Sequence, residues 1–402
     1  MTLVGRDLVS VFDLTNAEIE GLFALADEMG QHVRTKTDTA RGKLMTTLFY
    51  EPSTRTRLSF EAAMLRLGGD VLSCAEVTSS TSVAKGETIA DTVRIVESYA
   101  DIIVMRHPLE GSARVAADYA AVPVINAGDG SHEHPTQTLL DLYTIRKEKG
   151  GIEGVWVALV GDLKHARTAH SLAYGLARFG AKIACVAPAG LELPREITDR
   201  MRERYDAVTY QYRSLDELVA DPDLVRSRKV LEHDEQLALT SNAISLFDAL
   251  YVTRVQRERF TSPEEFGVAR KSYSLTADML RQARPDALVM HPLPRVDELH
   301  YDIDADPRAA YFRQAAYGVP VRMALLAAVL GVHGLKVGRS DEPERHPPRR
   351  ITAPDVTCSN PRCVTTQERY LPALFEPVGA TGRKLRCVYC ERITVIPPEA
   401  TA

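Results

Sequence analysis

Residues 43–67 read KLMTTLFYEPSTRTRLSFEAAMLRL. The apolar run 43–50 has the length and bulk of a strand buried on both faces, and 58–67 is a helical run. Between them, Glu51-Pro52-Ser53-Thr54-Arg55-Thr56-Arg57 is a strand-to-helix turn. Working outward, short apolar runs recur at 101–105, 122–126, 155–160, 182–187, 248–253 and 286–291. Amphipathic stretches of ten or more residues separate most of them. That alternation implies parallel sheets with helical crossovers, and the chain is read as two doubly wound α/β domains. Upstream, Leu14-Thr15-Asn16-Ala17-Glu18 combines a hydrophobic staple with a capping box, so a helix opens the fold.

Lys147-Glu148-Lys149-Gly150-Gly151 turns polar and glycine-rich before the next strand, which sets the expected division into domains 1–150 and 151–304. Helices at about 305–337 are expected to pack back on the first domain. Residues 220–245 are charged and helix-prone, and read as a surface helical insertion. Residues 338–350, GRSDEPERHPPRR, read as a linker to a terminal module, 351–402. The formal net charge of −5 over 402 residues gives no field for nucleic acid or membranes, so any anion site must be local. The N-terminus has no signal-peptide pattern and no apolar stretch approaches a membrane span, so a cytoplasmic protein is expected. Six cysteines are too few for a disulfide scaffold; Cys74 and Cys185 lie in apolar strand-like runs and read as core thiols.

The turn after 43–50 has the makings of an anion receptor. Ser53, Thr54 and Thr56 bring hydroxyls, the following helix brings its positive end, and Arg55 brings a fork of donors. Arg57 is a second fork or a structural ion pair. The plainer alternative is a capped helix start with solvated arginines. Two further strands end in Arg106 and, after a loop, in His134-Pro135-Thr136-Gln137. In open α/β sheets the C-terminal edge is where ligands bind, so three donor groups on one edge carry more weight than any one alone. His132 and His134, two apart in a loop, make a poor metal pair.

Ser53-Thr54-Arg55-Thr56-Arg57, Arg106 and His134-Pro135-Thr136-Gln137 resemble the carbamoyl-phosphate signature of the transcarbamoylases. The resemblance implies that Ser53, Thr54, Arg55 and Thr56 hold the phosphate, that Thr56, Arg106 and His134 polarise the carbamoyl oxygen, and that Gln137 orients the carbamoyl amide. Gly161-Asp162-Leu163-Lys164-His165-Ala166-Arg167, Thr253-Arg254-Val255-Gln256 and Met290-His291-Pro292-Leu293-Pro294-Arg295 resemble the aspartate branch. There Arg167, Arg254 and Gln256 would grip the two carboxylates of aspartate, and Leu293 and Pro294 would offer backbone carbonyls. A dicarboxylate calls for fixed guanidinium forks, which an ornithine site would not. The polar loop 79–87 resembles the family's mobile loop, implying that Lys85, with Thr81 or Ser82, enters a neighbouring subunit's active site in a homotrimer. The implied activity is transfer of the carbamoyl group from carbamoyl phosphate to L-aspartate, giving N-carbamoyl-L-aspartate and phosphate for pyrimidine biosynthesis, with no active-site cofactor. The rivals are a transcarbamoylase acting on another amine, and a catalytically silent scaffold; the latter should have lost ligands that are all present here.

Cys358-x4-Cys363 and Cys387-x2-Cys390 give four thiolates in two close pairs, the arrangement of a structural zinc site. Spacing and flanks resemble the zinc domain of the aspartate carbamoyltransferase regulatory chain, which docks against catalytic chains; a higher assembly through it is left open. That chain's nucleotide-binding domain has no counterpart here. A nucleic-acid-binding ribbon fits less well, since the module lacks a basic, aromatic face.

Overall fold

The computed structural model describes residues 3–75, 86–232, 242–255, 267, 273–334, 350–379 and 382–396, with the backbone alone at 228–232. The chain falls into two compact units, one running to Thr136 and resuming at Gly318, the other Gln137–Tyr317.

The first unit opens with α1 (Asn16–Met29). The Thr15 hydroxyl accepts the Glu18 N–H at 3.2 Å, and the Glu18 carboxylate accepts the Thr15 N–H at 2.8 Å, which closes the expected capping box. There follow β1 (Leu44–Phe49), α2 (Thr54–Arg66), β2 (Asp70–Ala75), α3 (Ile89–Val96), β3 (Ile102–His107), α4 (Ser112–Tyr119), β4 (Val124–Asp129) and α5 (Pro135–Lys149), whose first two residues lie in this unit. The four strands are parallel in the order β2-β1-β3-β4. The chain thus steps from β1 to one side and returns to β3 on the other. This reversal opens a crevice where β1 and β3 end. Strand β2 is an edge with mostly exposed side chains, so Cys74 is half-buried there and is not the core thiol expected.

The second unit contains β5 (Trp156–Val160), α6 (Arg167–Arg178), β6 (Lys182–Val186), α7 (Arg195–Tyr205), β7 (Thr209–Tyr212), α8 (Leu215–Val219), α9 (Pro222–Glu232), β8 (Ala249–Val252), α10 (Ala277–Gln282), β9 (Leu288–Met290) and the start of α11 (Tyr311–Val329). Its parallel sheet has the order β7-β6-β5-β8-β9, with the reversal between β5 and β8. Cys185 is fully buried on β6, where burial pushes its thiol up to about 12. Residues 220–245 are helical in part, as expected, but not wholly a surface feature. Leu224, Ala243 and Ile244 are buried beside Trp156, Leu246 and Phe247, because the chain must re-enter the core to begin β8.

The later part of α11 belongs to the first unit, where Arg322 lies over the Phe60 ring and donates to the Ser59 hydroxyl. The terminal module is an antiparallel sheet, β10 (Ile351–Thr352), β11 (Leu374–Val378), β12 (Lys384–Cys387) and β13 (Ile393–Val395), in that order. It is seated on the first unit and shares one apolar core with it: Phe375, Leu385 and Tyr389 join Val93, Val115 and Ala116. The seam is also hydrogen-bonded. Glu110 N–H donates to the Arg362 carbonyl, Val364 N–H to the Glu110 carbonyl, and the Asn360 amide to the buried Glu110 carboxylate at 2.7 Å. Gly111, at φ +90, permits the closest approach, since a Cβ there would lie 2.7 Å from the Tyr389 main chain. The linker 338–350 falls outside the described residues except for Arg350.

Candidate active site and metal centre

In the first unit the sheet reversal is flanked by the residues that the sequence singled out. Ser53 sits at the N-cap of α2 in extended conformation, and its side chain makes no capping hydrogen bond. The Ser53 hydroxyl is therefore not consumed in capping the helix. Thr56 is buried one turn in, whereas Thr54 and Arg55 are exposed. Arg57 turns out to be structural, donating to Ser73 at 2.9 Å and pairing with Glu61 at 3.5 Å, which fastens α2 to the edge strand. Across the reversal, Arg106 near the end of β3 is held by Glu51 at 3.2 Å and by the Ala127 carbonyl at 3.4 Å. A guanidinium fixed from two sides is ready for an oxyanion without reorganising. Its neighbour His107 accepts from the Leu109 N–H, and burial pushes it down to about 4, so it stays neutral and structural.

His134 is buried just before α5, on a loop pinned from below. Asp129 accepts from Asn126 and from the Gly111 N–H, and pairs with His132 at 3.0 Å. Burial opposes charge on His132, but Asp129 outweighs it and raises His132 well above the ordinary histidine range. His132 also faces Glu391 of the terminal module at 3.7 Å, while His134 lies near the Thr136 hydroxyl, so the two histidines do not share a metal. Glu133 accepts from Ser10 and the Val11 N–H, and burial pushes it up to about 7. Sequence reasoning missed this support because Ser10 and Asp129 lie far from each other in the chain and neither belongs to a motif.

In the second unit the reversal between β5 and β8 carries the other group. Gly161 follows β5 at φ +118, and a Cβ there would lie 2.6 Å from Thr253 Oγ1 and nearer still to the Thr253 carbonyl oxygen. Only glycine lets the two strand ends close together. Thr253 N–H and Oγ1–H both donate to the Val160 carbonyl, at 2.7 and 3.0 Å. Arg254 follows directly, and Arg167 begins α6 at the end of a turn in which Asp162 accepts from the His165 N–H. Leu293 has φ +54 and precedes a cis bond to Pro294. Its N–H donates to His291 Nδ1 at 2.8 Å, and His291 Nε2 pairs with the buried Glu298. Arg295 is structural, salt-bridged to Asp304 and packed on Tyr301. Gln137 belongs to this unit and donates to Asp141 at 2.8 Å. Lys85, Thr81, Ser82 and Gln256 lie outside the described residues.

Cys358, Cys363, Cys387 and Cys390 are all buried, with sulfurs within 4.8 Å of one another. Cys358–Cys390 and Cys363–Cys387 stand at 3.5 and 3.8 Å. A tetrahedron with metal–sulfur bonds of about 2.3 Å has edges of about 3.8 Å, so the cage fits such an ion. Asn360 N–H and the Thr365 hydroxyl donate to Cys358 and Cys363, as thiolate ligands require. Hydrogen bonds from Cys358, Cys387 and Cys390 hold Cys363 well below the ordinary thiol range, while hydrogen bonds to Cys358 and Cys363 push Cys387 and Cys390 above it. A dication would let all four ionise.

Comparison with known proteins finds three family models along the chain. Residues 6–147 match the family model of the aspartate/ornithine carbamoyltransferase carbamoyl-P binding domain, and 153–329 that of the Asp/Orn binding domain. Residues 350–395 match the metal binding domain of the aspartate carbamoyltransferase regulatory chain. The aspartate carbamoyltransferase catalytic subunit of Methanopyrus kandleri is 50% identical over 332 residues, 82% of this chain and 99% of that protein. That of Thermococcus kodakarensis is 48% identical over 333 residues, again 82% and 99%. Among solved structures, the catalytic subunit of M. jannaschii aspartate transcarbamoylase superposes with a TM-score of 0.70 at 44% identity, covering 81% of this chain and 98% of that one. Aspartate transcarbamoylase from Trypanosoma cruzi in complex with N-(phosphonacetyl)-L-aspartic acid gives 0.71 at 38% identity, covering 82% and 97%.

Proposed function

We propose that this chain, which belongs to the aspartate/ornithine carbamoyltransferase family, transfers the carbamoyl group of carbamoyl phosphate to the amino group of L-aspartate. The single observation that supports the choice of aspartate is that Arg167 and Arg254 stand on the segments following adjacent strands β5 and β8, whose ends close together at Gly161. Two guanidinium forks suit a dicarboxylate. T. cruzi aspartate transcarbamoylase, whose structure is solved with carbamoyl phosphate and aspartate, supports the same substrates.

In this reading Ser53, Thr54, Arg55 and Thr56 bind phosphate at the N-terminus of α2. The neutral amine of aspartate attacks the carbamoyl carbon, forming the C–N bond. Thr56, Arg106 and His134 stabilise the oxyanion that develops. The bond to phosphate oxygen then breaks, and the leaving phosphate takes up the amine proton, with Arg55 and Lys85 balancing its charge. Gln137 meets the carbamoyl amide; Leu293 and Pro294 offer carbonyls; Arg167, Arg254 and Gln256 hold the aspartate carboxylates. Positioning and electrostatics suffice for an already activated acyl donor.

The four-cysteine cage takes zinc as a structural ion. The setting is cytoplasmic, where thiolates stay reduced for a metal. No helix among the described residues is long and apolar enough to cross a membrane. The chain assembles as a homotrimer with shared active sites. Exposed Leu58 and Leu65, two turns apart on α2, Leu72 on β2, Ile95 on α3 and Tyr99 just after it supply apolar surface for such an interface. The test is a carbamoyl-aspartate assay on the full chain, with native mass measured alongside. Arg55→Ala should cut turnover at least a hundredfold while the circular dichroism stays native. Unchanged steady-state rates would refute the site, and a monomeric active chain would refute the trimer.

A further inference from the structure

Asp141 lies on α5 one turn after Gln137 and is completely buried. Three side chains donate to its carboxylate. Gln137 Nε2 and Gln314 Nε2 reach Oδ1 at 2.8 and 2.6 Å, and the Tyr251 hydroxyl reaches Oδ2 at 2.9 Å. Sequence motifs gave no hint of this cluster, because Tyr251 and Gln314 are 110 and 173 residues away. A buried carboxylate with three donors is a fixed, fully satisfied acceptor.

Such an acceptor removes the ambiguity of a carboxamide. An ionised carboxylate only accepts, so the end of Gln137 that faces it must be the amide nitrogen. The same logic fixes Gln314, whose Oε1 accepts the His291 N–H at 2.9 Å while its nitrogen meets Asp141. Tyr251, on β8, must be the donor of its pair. Burial and the facing Asp141 charge raise its hydroxyl well above the ordinary range, which keeps that proton in place. Gln137 is thereby left with Oε1, an acceptor, as the end it can offer to a substrate.

We infer that Asp141 is a positioning residue for carbamoyl phosphate: it locks the Gln137 carboxamide with its oxygen outward, so that the site selects a donor bearing an N–H on the acyl carbon. This rests on the reading given under Proposed function, in which Gln137 meets the carbamoyl amide. A flipped Gln137 would present two N–H groups to the substrate's own NH2 and repel it. A fixed oxygen accepts from carbamoyl phosphate and gains nothing from acetyl phosphate, which has a methyl group in that place.

Acetyl phosphate makes the test. Dissociation constants of carbamoyl phosphate and acetyl phosphate are measured on the full chain by competition against inorganic phosphate, and their ratio is the readout. Asp141→Asn cannot accept all three donors, and its own NH2 competes for the Gln137 oxygen. The ratio should fall about tenfold, the worth of one good hydrogen bond, with acetyl phosphate and inorganic phosphate bound as in the parent. General damage to α5 would weaken all three ligands and leave the ratio alone. Gln137→Ala should lower the ratio equally, and adding Asp141→Asn to it should lower it no further. Should Asp141→Asn not fold, Tyr251→Phe, which keeps the carboxylate but removes its Oδ2 anchor, should lower the ratio in the same sense. An unchanged ratio in a folded variant, or additive losses in the double variant, would overturn the role of Asp141. Failure of the parent chain to form carbamoyl aspartate would instead overturn the function on which it rests.

Discussion

Gly161→Ala is the substitution whose cost follows most directly from geometry. The residue sits at φ +118, where an L side chain is strained by roughly 1–3 kcal/mol. Its new methyl group would stand 2.6 Å from Thr253 Oγ1, about an ångström inside ordinary van der Waals separation. Backbone atoms of Thr253 lie against it as well, and they are tied to Val160 by two hydrogen bonds, so the neighbour cannot swing aside. Overpacking of this kind costs about 1–3 kcal/mol, which brings the expected destabilisation to about 2–6 kcal/mol. Relief can come only by parting the ends of β5 and β8, and that moves the loops of Arg167 and Arg254. Urea denaturation should therefore show a lower midpoint with unchanged slope. Steady-state kinetics should show the KM for aspartate raised at least tenfold, with carbamoyl-phosphate binding kept. A variant with parental stability and parental aspartate KM would show that the strand ends are not held by this contact.

Two further outcomes are expected. Stripping the metal from the four-cysteine cage with a strong chelator should lower the melting temperature of the whole chain by more than ten degrees, since structural zinc contributes about 10 kcal/mol to such modules. Zinc should restore it, and an unchanged melting curve would rule out a shared core between module and first unit. Asp286 is held down to about 2: burial opposes its charge, but hydrogen bonds from Arg284 and Lys149 prevail. Its folded value is depressed, so its contribution is present above the ordinary value of 3.8 and is lost as pH falls through about 2. The carboxyl is half exposed, which limits the contribution to about 0.5–1 kcal/mol. Asp286→Asn should accordingly melt lower than the parent at pH 5 and converge with it near pH 2; parallel curves would sink the assignment.

What the sequence disclosed follows from where each signal lies along the chain. Strands β1, β3, β4, β5, β6, β8 and β9 are buried on both faces and so appear as unbroken apolar runs. Strands β4 and β9 are edges too but are covered, whereas β2 and β7 are edges with polar residues such as Asp70, Ser73 and Gln211 facing water, so β2 shows only as the short apolar run around Cys74 and β7 not at all. Ser53-Thr54-Arg55-Thr56 was legible because one helix terminus holds all four. The Cys358-Cys363 and Cys387-Cys390 pairs were legible because each is a local knuckle. Asp141, Glu110 and Glu298 were not. Each acts through partners brought by the fold, Glu110 through Asn360 at a separation of 250 residues. A carboxylate in a helix or loop looks the same in sequence whether it faces water or closes a buried network.

The seam at Glu110, Gly111 and Tyr389 has a consequence for stoichiometry. A separate module bound through these contacts would dissociate on dilution, and its occupancy would track the supply of a second polypeptide. Joined by a short tether, it meets its surface at an effective concentration on the order of millimolar, whatever the abundance of the protein. Each catalytic body therefore carries one module. Scarcity of metal would not release a subunit; it would unpick part of the same chain and expose Phe375, Leu385 and Tyr389 to proteases and to aggregation.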